Sequence, residues 1–223
     1  HRFLFATDFL AFMLQGKETV GTLLSFQLGF SGSLNFAPGS PYALPAGDGG
    51  ALGLALHPYS PTLYVGFPVA GSVGAYSIDP FTGALSLQTT VKAGAAACWL
   101  KTNSRGTRLY VLNSGNNAVQ VFNTESPNAP VSMSTLVLKE PGTTYTTASG
   151  GTAISEADFA LGFSPDGWTL YVVSQNTNPD LTAPNFNFLH VLRVAGDGSL
   201  TEPGEPLKLP VGADVRPMGV ATR

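Results

Sequence analysis

The stretch LGLALHPYSPTLYVGF, Leu52 to Phe67, runs as an apolar strand, a tight polar turn and a second strand carrying Leu-Tyr-Val. Two more stretches follow the same plan: ACWLKTNSRGTRLYVLN, Ala97 to Asn113, and ALGFSPDGWTLYVVS, Ala160 to Ser174. A partial copy, RFLFATDF, Arg2 to Phe9, enters already inside the second strand. Each unit then continues with an alternating strand, a short turn and a last strand, as in Ser72 to Thr90, Asn187 to Gly204 and Thr22 to Gly39. The turns Asp-Pro-Phe-Thr-Gly, Gly-Phe-Ser-Gly and Gly-Asp-Gly sit at matching places and supply the positive-φ residues that hairpins need. The anchors begin at Leu63, Leu109 and Leu170. That spacing fits a blade of about 40–50 residues, with an insertion in the longer interval. Four short antiparallel strands repeated radially make a β-propeller. The expectation is therefore an all-β chain of four-stranded antiparallel blades, about four of them.

The repeat also sets boundaries. A single domain spans 1–223, with blades at about 50–93, 95–140 and 158–210 and an insertion at 139–157. The tail Val215 to Arg223, VRPMGVATR, resembles an innermost strand, whereas the head supplies the second to fourth strands. Pairing of the C-terminal strand with the N-terminal strands would complete one blade from 211–223 and 1–47 and hide the sheet edges. The alternatives are a part of a larger seven- or eight-bladed ring, built from two chains or from further blades. Self-association through an open blade edge belongs to the same reading.

Composition narrows the function classes. Hydrophobic residues make up 43% and charged residues 11%, against about 25% charged in an ordinary soluble domain. Such a chain buries a core and does not read as disordered. A net charge of −3 lacks the basic footprint of a nucleic-acid binder. No apolar run reaches the roughly 18 residues of a membrane span. The one cysteine, Cys98, excludes an internal disulfide and lies in the apolar run Ala95 to Leu100. Low charge with abundant Gly, Ser, Thr, Asn and Ala suggests a secreted or cell-envelope protein. The chain begins at His1, which is read as a removed leader or a piece of a longer chain.

The residues GSPYALPAG (Gly39 to Gly47), LGLALHPYSPTLYVG, YSIDPFTGALS, FSPDGWTLYVVS and RPMGVAT together resemble the YVTN-type lactonase-like propeller family. That family includes 6-phosphogluconolactonase-type proteins and fungal carboxymuconate cyclases. The resemblance implies a His-Pro-Arg-like element at the start of an innermost strand and a carboxylate just after the Tyr-Val strand. Arg216-Pro217 is similar to the first, with Val215 where the family has His. The second position holds Asp8, Phe67, Asn113 and Ser174, of which only Asp8 is acidic.

Strand order assigns the loops to faces. The first-to-second and third-to-fourth connections are tight. The longer segments, Phe9 to Gly21, Lys139 to Asp158 and Gln175 to Asn187, all fall on the other face, which makes it the candidate binding surface. Arg216, Asp8, Asp158 and Glu156 are expected to approach the central channel there, an Arg beside carboxylates being suited to an anionic or hydroxylated ligand. Asn113, Asn116, Asn117, Gln175, Asn176 and Asn178 would form a hydrogen-bonding rim for a small molecule, glycan or protein. The three histidines, His1, His57 and His190, do not form a metal spacing, and no GxSxG elbow, P-loop or calcium loop is present. No metal or cofactor is expected. Two readings result. One is a binding or assembly module. The other is a lactonase-like hydrolase or cyclase, in which Arg216 steadies an oxyanion and Asp8, Asp158 or Glu156 acts as general base.

Overall fold

The computed structural model describes residues 2–8, 23–139, 144–146, 150, 152–154, 156–177, 187–212 and 214–222. Its described residues form strands and no helix. The first sheet has three strands, β1 (Phe3–Thr7), β2 (Leu23–Leu28) and β3 (Leu34–Phe36). The second has four, β4 (Leu54–Leu56), β5 (Thr62–Phe67), β6 (Ser72–Ile78) and β7 (Leu85–Lys92). The third also has four, β8 (Ala97–Thr102), β9 (Arg108–Asn113), β10 (Ala118–Asn123) and β11 (Val131–Val137). A short hairpin, β12 (Thr144–Thr146) with β13 (Thr152–Ile154), precedes the fourth sheet. That sheet comprises β14 (Glu156–Phe163), β15 (Thr169–Asn176), β16 (Phe188–Val194), β17 (Leu200–Thr201) and β18 (Leu207–Lys208). All pairings are antiparallel. Successive sheets packed face to face in this way make a propeller-like array.

The Leu-Tyr-Val anchor explains the packing. Side chains alternate between the two faces of a strand, so Leu109 and Val111 point one way from β9 and Tyr110 and Leu112 the other. The first pair joins Tyr64, Val73 and Leu100 in one apolar seam, and the second joins Leu170, Val172 and Leu192 in the next. Leu63, Val65 and Phe67 of β5 close the seam with the first sheet. Both faces of β9 are therefore covered, and Leu109 to Asn113 are all fully buried. Each buried Leu or Val contributes about 1.5–3 kcal/mol, so the seams between sheets hold the array together.

Tyrosine adds a polar pin to each seam. Tyr64 Oη donates to the Pro127 carbonyl and Tyr110 Oη to the Gly198 carbonyl, both at 2.9 Å. Those acceptors lie in the turn before the last strand of the following sheet. Gly198 has φ +90°, a conformation that costs glycine nothing. Burial pushes the Tyr110 phenol up to about 12, because the phenolate would lose its hydration, and raises Tyr64 and Tyr76 for the same reason. Above pH 10 the unfolded chain loses these protons while the folded chain keeps them, so stability falls as pH rises from 10 through 12. Far-UV circular dichroism during alkaline titration should show cooperative unfolding there. Noncooperative titration of the three phenols from pH 10 with the fold intact would contradict their burial.

Two expectations change. Among the described residues the closing strand does not form: those of 211–222 contain no strand, and β1 pairs with β2 alone. The tail lies instead on the fourth sheet, where Thr222 Oγ1 donates to the Phe163 carbonyl and Gln175 Nε2 to the Pro217 carbonyl. The sheets are thus not closed into a ring. The 139–157 insertion, expected as loop, contains the β12–β13 hairpin, whose Thr- and Tyr-bearing strands pair Thr144 with Ile154. The Phe9 to Gly21 segment lies outside the described residues.

Candidate functional site

Polar residues collect at one end of the inner strands of the third and fourth sheets. β9 ends at Asn113, β14 begins at Glu156 and β15 ends at Asn176. The antiparallel register therefore sets Ser174 opposite Asp158, Gln175 opposite Ala157 and Asn176 opposite Glu156. Asn113, Asp158, Ser174, Gln175, Asn176, Asn187 and His190 are all buried. A register shift between Asp158 and Ala160 marks a bulge at this end of β14, a device that re-aims a side chain.

The centre of this group is a row of three titratable side chains. His190 Nδ1 lies 2.8 Å from Glu202 Oε1, and its Nε2 lies 3.8 Å from Asp158 Oδ1. The His190 and Asp158 side chains are 1% exposed and that of Glu202 4%. The Nδ1–Glu202 distance is a hydrogen bond; the Nε2–Asp158 distance is an electrostatic contact. A carboxylate on one nitrogen fixes the imidazole's orientation and places the other nitrogen toward Asp158. Glu202 Oε2 also accepts the Lys139 backbone N–H, and Lys139 Nζ pairs with Glu205. The row therefore ties together the residues before and after the β12–β13 hairpin.

Each expected site residue can be located. Asp158 is fully buried and faces His190. Glu156 opens β14, and its side chain lies outside the described residues. Arg216 is exposed and donates to the Val215 carbonyl. Its neighbour Pro217 is bonded to Gln175, which brings Arg216 to the same end of the fourth sheet. Asp8 is exposed just beyond β1. Of the expected rim, Asn116 is exposed, whereas Asn113, Asn117, Gln175 and Asn176 are buried. Asn117 has φ +43°, the left-handed turn conformation that Asn tolerates. The Asn176 amide hydrogen-bonds Asn187 Oδ1, and Asn187 Nδ2 donates to the Gly212 and Val215 carbonyls. Asn178 lies outside the described residues. Both side-chain polar atoms of Asn113, Ser174 Oγ and Trp99 Nε1 are buried with no hydrogen-bond partner in the structure. Leaving such a group unpaired costs about 1–3 kcal/mol, which a water or a polar ligand would relieve.

His190 and Glu202 were missed in the sequence reading. The signal is faint: in FLHVLRV, His190 alternates with Phe188, Leu192 and Val194, so it belongs to a buried face. Glu202 follows 12 residues later, and only the return of the chain beside β16 brings it near.

Among the described residues, no cluster of His, Cys, Asp and Glu could hold a metal ion, and no helix is long and apolar enough to cross a membrane. No protein-family model matches the sequence, and no curated protein matches it. Solved structures do. A protein from Lactobacillus plantarum superimposes with a TM-score of 0.67 at 18% identity, over 92% of this chain and 54% of that one. A candidate 6-phosphogluconolactonase of Bacteroides fragilis gives 0.60 at 17%, over 87% and 53%. The periplasmic gluconolactonase of Pseudomonas aeruginosa gives 0.52 at 16%, over 87% and 65%. The fold is that of the lactonase-like β-propellers. The chain spans about half the length of the first two.

Proposed function

We propose that this chain is a ligand-binding, lactonase-like propeller that takes a small hydroxylated or anionic molecule, of the sugar-lactone or sugar-acid type, at the polar strand ends of its third and fourth sheets. The observation that carries this reading is the convergence of Asn113, Asp158, Ser174 and Gln175 at that one end. The chemical class is drawn from the gluconolactonase and 6-phosphogluconolactonase names of the similar structures. In this reading Arg216 supplies the cation for a carboxylate or phosphate, Asn116 bonds a hydroxyl, and His190 positions Asp158. Calorimetric titration with glucono-δ-lactone, gluconate and 6-phosphogluconate tests it. Binding of at least one is expected, with Arg216→Ala weakening the two anions about tenfold and the neutral lactone less. Failure of all three to bind overturns the ligand class. Unchanged binding in Arg216→Ala overturns the placement.

A second reading, hydrolysis or cyclisation, is favoured by the His190–Asp158 contact, since a carboxylate held beside an imidazole is a candidate base. Acid release from the lactone, followed by titration and abolished by Arg216→Ala, would support it. Glycan and protein ligands remain the other classes for this face. A secreted or envelope location is proposed from composition, and cell fractionation tests it.

A further inference from the structure

At the end of the strands opposite the polar group, the third and fourth sheets part to leave a cleft of about 420 Å³. It is bounded by the β8–β9 turn, residues 103–107, and the β14–β15 turn, residues 164–168. Every residue lining it belongs to these two sheets and the turns within them.

The repeat shows why a space is left here. His57, Asn103 and Ser164 each stand six residues before the leucine of their Leu-Tyr-Val anchor, and Gly106 and Gly167 each stand three before it. Between the second and third sheets His57 crosses the seam. Its Nδ1 accepts the Tyr59 and Ser60 N–H groups, so Nε2 carries the proton and donates to the Gly106 carbonyl at 2.8 Å. A Cβ on Gly106 would meet that ring at 2.6 Å. Asn103, the counterpart of His57 one sheet on, bonds within its own turn instead. Its Nδ2 donates to Thr107 Oγ1, and its Oδ1 accepts the Arg108 N–H. A Cβ on Gly167, the counterpart of Gly106, would meet no described atom within 4 Å. The place that holds an imidazole in one seam is therefore open in the next.

The walls define what fits there. Lys101 and Tyr110 are partners in the β8–β9 register, so the Lys101 side chain leaves β8 on the side facing the fourth sheet. Arg105, in the turn, reaches the Gly196 carbonyl at 3.4 Å. Both cations are exposed, and among the described residues neither is paired with a carboxylate. The one carboxylate lining the cleft, Asp166, is engaged by its own turn, where Oδ1 accepts the Ser164 hydroxyl and the Trp168 N–H. The other walls are aromatic: Tyr110 stands edge-on to Phe163, and Trp168 lines the cleft with them. Rings beside two unneutralised cations suit a flat anion, and the volume lies in the range of small-molecule sites.

We propose that this cleft is a second binding site, which takes a small aromatic carboxylate. The ligand's ring occupies the place that the imidazole holds one seam earlier, and its carboxylate meets Lys101 and Arg105. The cleft stands at the opposite end of the sheets from Asp158 and Gln175 and is independent of the sugar-acid site there.

Benzoate, with benzamide as its neutral counterpart, is the probe, titrated against the 223-residue chain by saturation-transfer NMR. Benzoate is expected to bind saturably with a Kd of about 1 mM, and benzamide about tenfold more weakly. Lys101→Gln and Arg105→Gln, at exposed positions, should each weaken benzoate about tenfold with an unchanged circular dichroism spectrum. Asn103→His supplies the ring that His57 supplies in the neighbouring seam and should abolish benzoate binding. Absence of saturable benzoate binding overturns the proposal. So does equal binding of benzamide, or benzoate binding unchanged in all three variants. Benzoate binding lost in Arg216→Ala but kept in Lys101→Gln would put the ligand at the other end of the sheets, and overturns the proposal equally.

Discussion

Replacement of His190 by alanine is expected to destabilise the chain by about 3–5 kcal/mol, since it leaves a cavity and removes the partner of two buried carboxyl groups. The reason is positional. The imidazole lies between Glu202 and Asp158 in a seam that excludes water, with both carboxylate side chains almost wholly buried. Without it, the buried Glu202 and Asp158 carboxylates lose the group that lies between them. Urea unfolding monitored by tryptophan fluorescence gives the number directly. Glu202→Gln, which retains an acceptor for Nδ1, should cost about 1–2 kcal/mol. A His190→Ala loss below about 1 kcal/mol would show that the row does not hold the fourth sheet, and would remove its role in positioning Asp158.

Truncation of Tyr110 should be comparably severe. The ring is fully buried, stands edge-on to Phe163 with centroids 5.1 Å apart, and its hydroxyl reaches the Gly198 carbonyl. Tyr110→Ala is expected to lose about 3–5 kcal/mol through the cavity left in the third seam. Tyr110→Phe keeps the ring and removes only the pin, for about 1–2 kcal/mol. Differential scanning calorimetry of the pair separates the two contributions. Equal losses for both variants would mean that the hydroxyl, not the apolar packing, joins the third and fourth sheets.

The turns and strands were legible because their chemistry is local. Asp79 in Asp-Pro-Phe-Thr-Gly accepts the N–H groups of Thr82 and Phe81, which hold its carboxyl below the usual range. The next turns repeat that device with Asp166 and Asp197. Such bonds span two or three residues, so a short window of sequence contains them whole. The candidate site was less legible. Asn113, Gln175 and Asn176 read as a rim because Asn and Gln favour exposed turns. They are buried because β9 runs its full length between neighbouring sheets, and because Asn187 and the tail residue Pro217 cover the end of β15. Their surroundings include residues more than 40 positions away, since Ser114 bonds the Asp158 carbonyl and Gln175 the Pro217 carbonyl.

Alternation of apolar residues, the recurring Leu-Tyr-Val and the glycine turns were sufficient, on their own, to specify antiparallel sheets stacked face to face, since each acts over a few neighbouring residues. Only the folded arrangement decided that His190 meets both Asp158 and Glu202, and that the tail rests on Phe163 and Gln175. Those outcomes depend on register and on the angle between successive sheets. Both quantities emerge from the packing of many distant side chains at once, and no single segment encodes them.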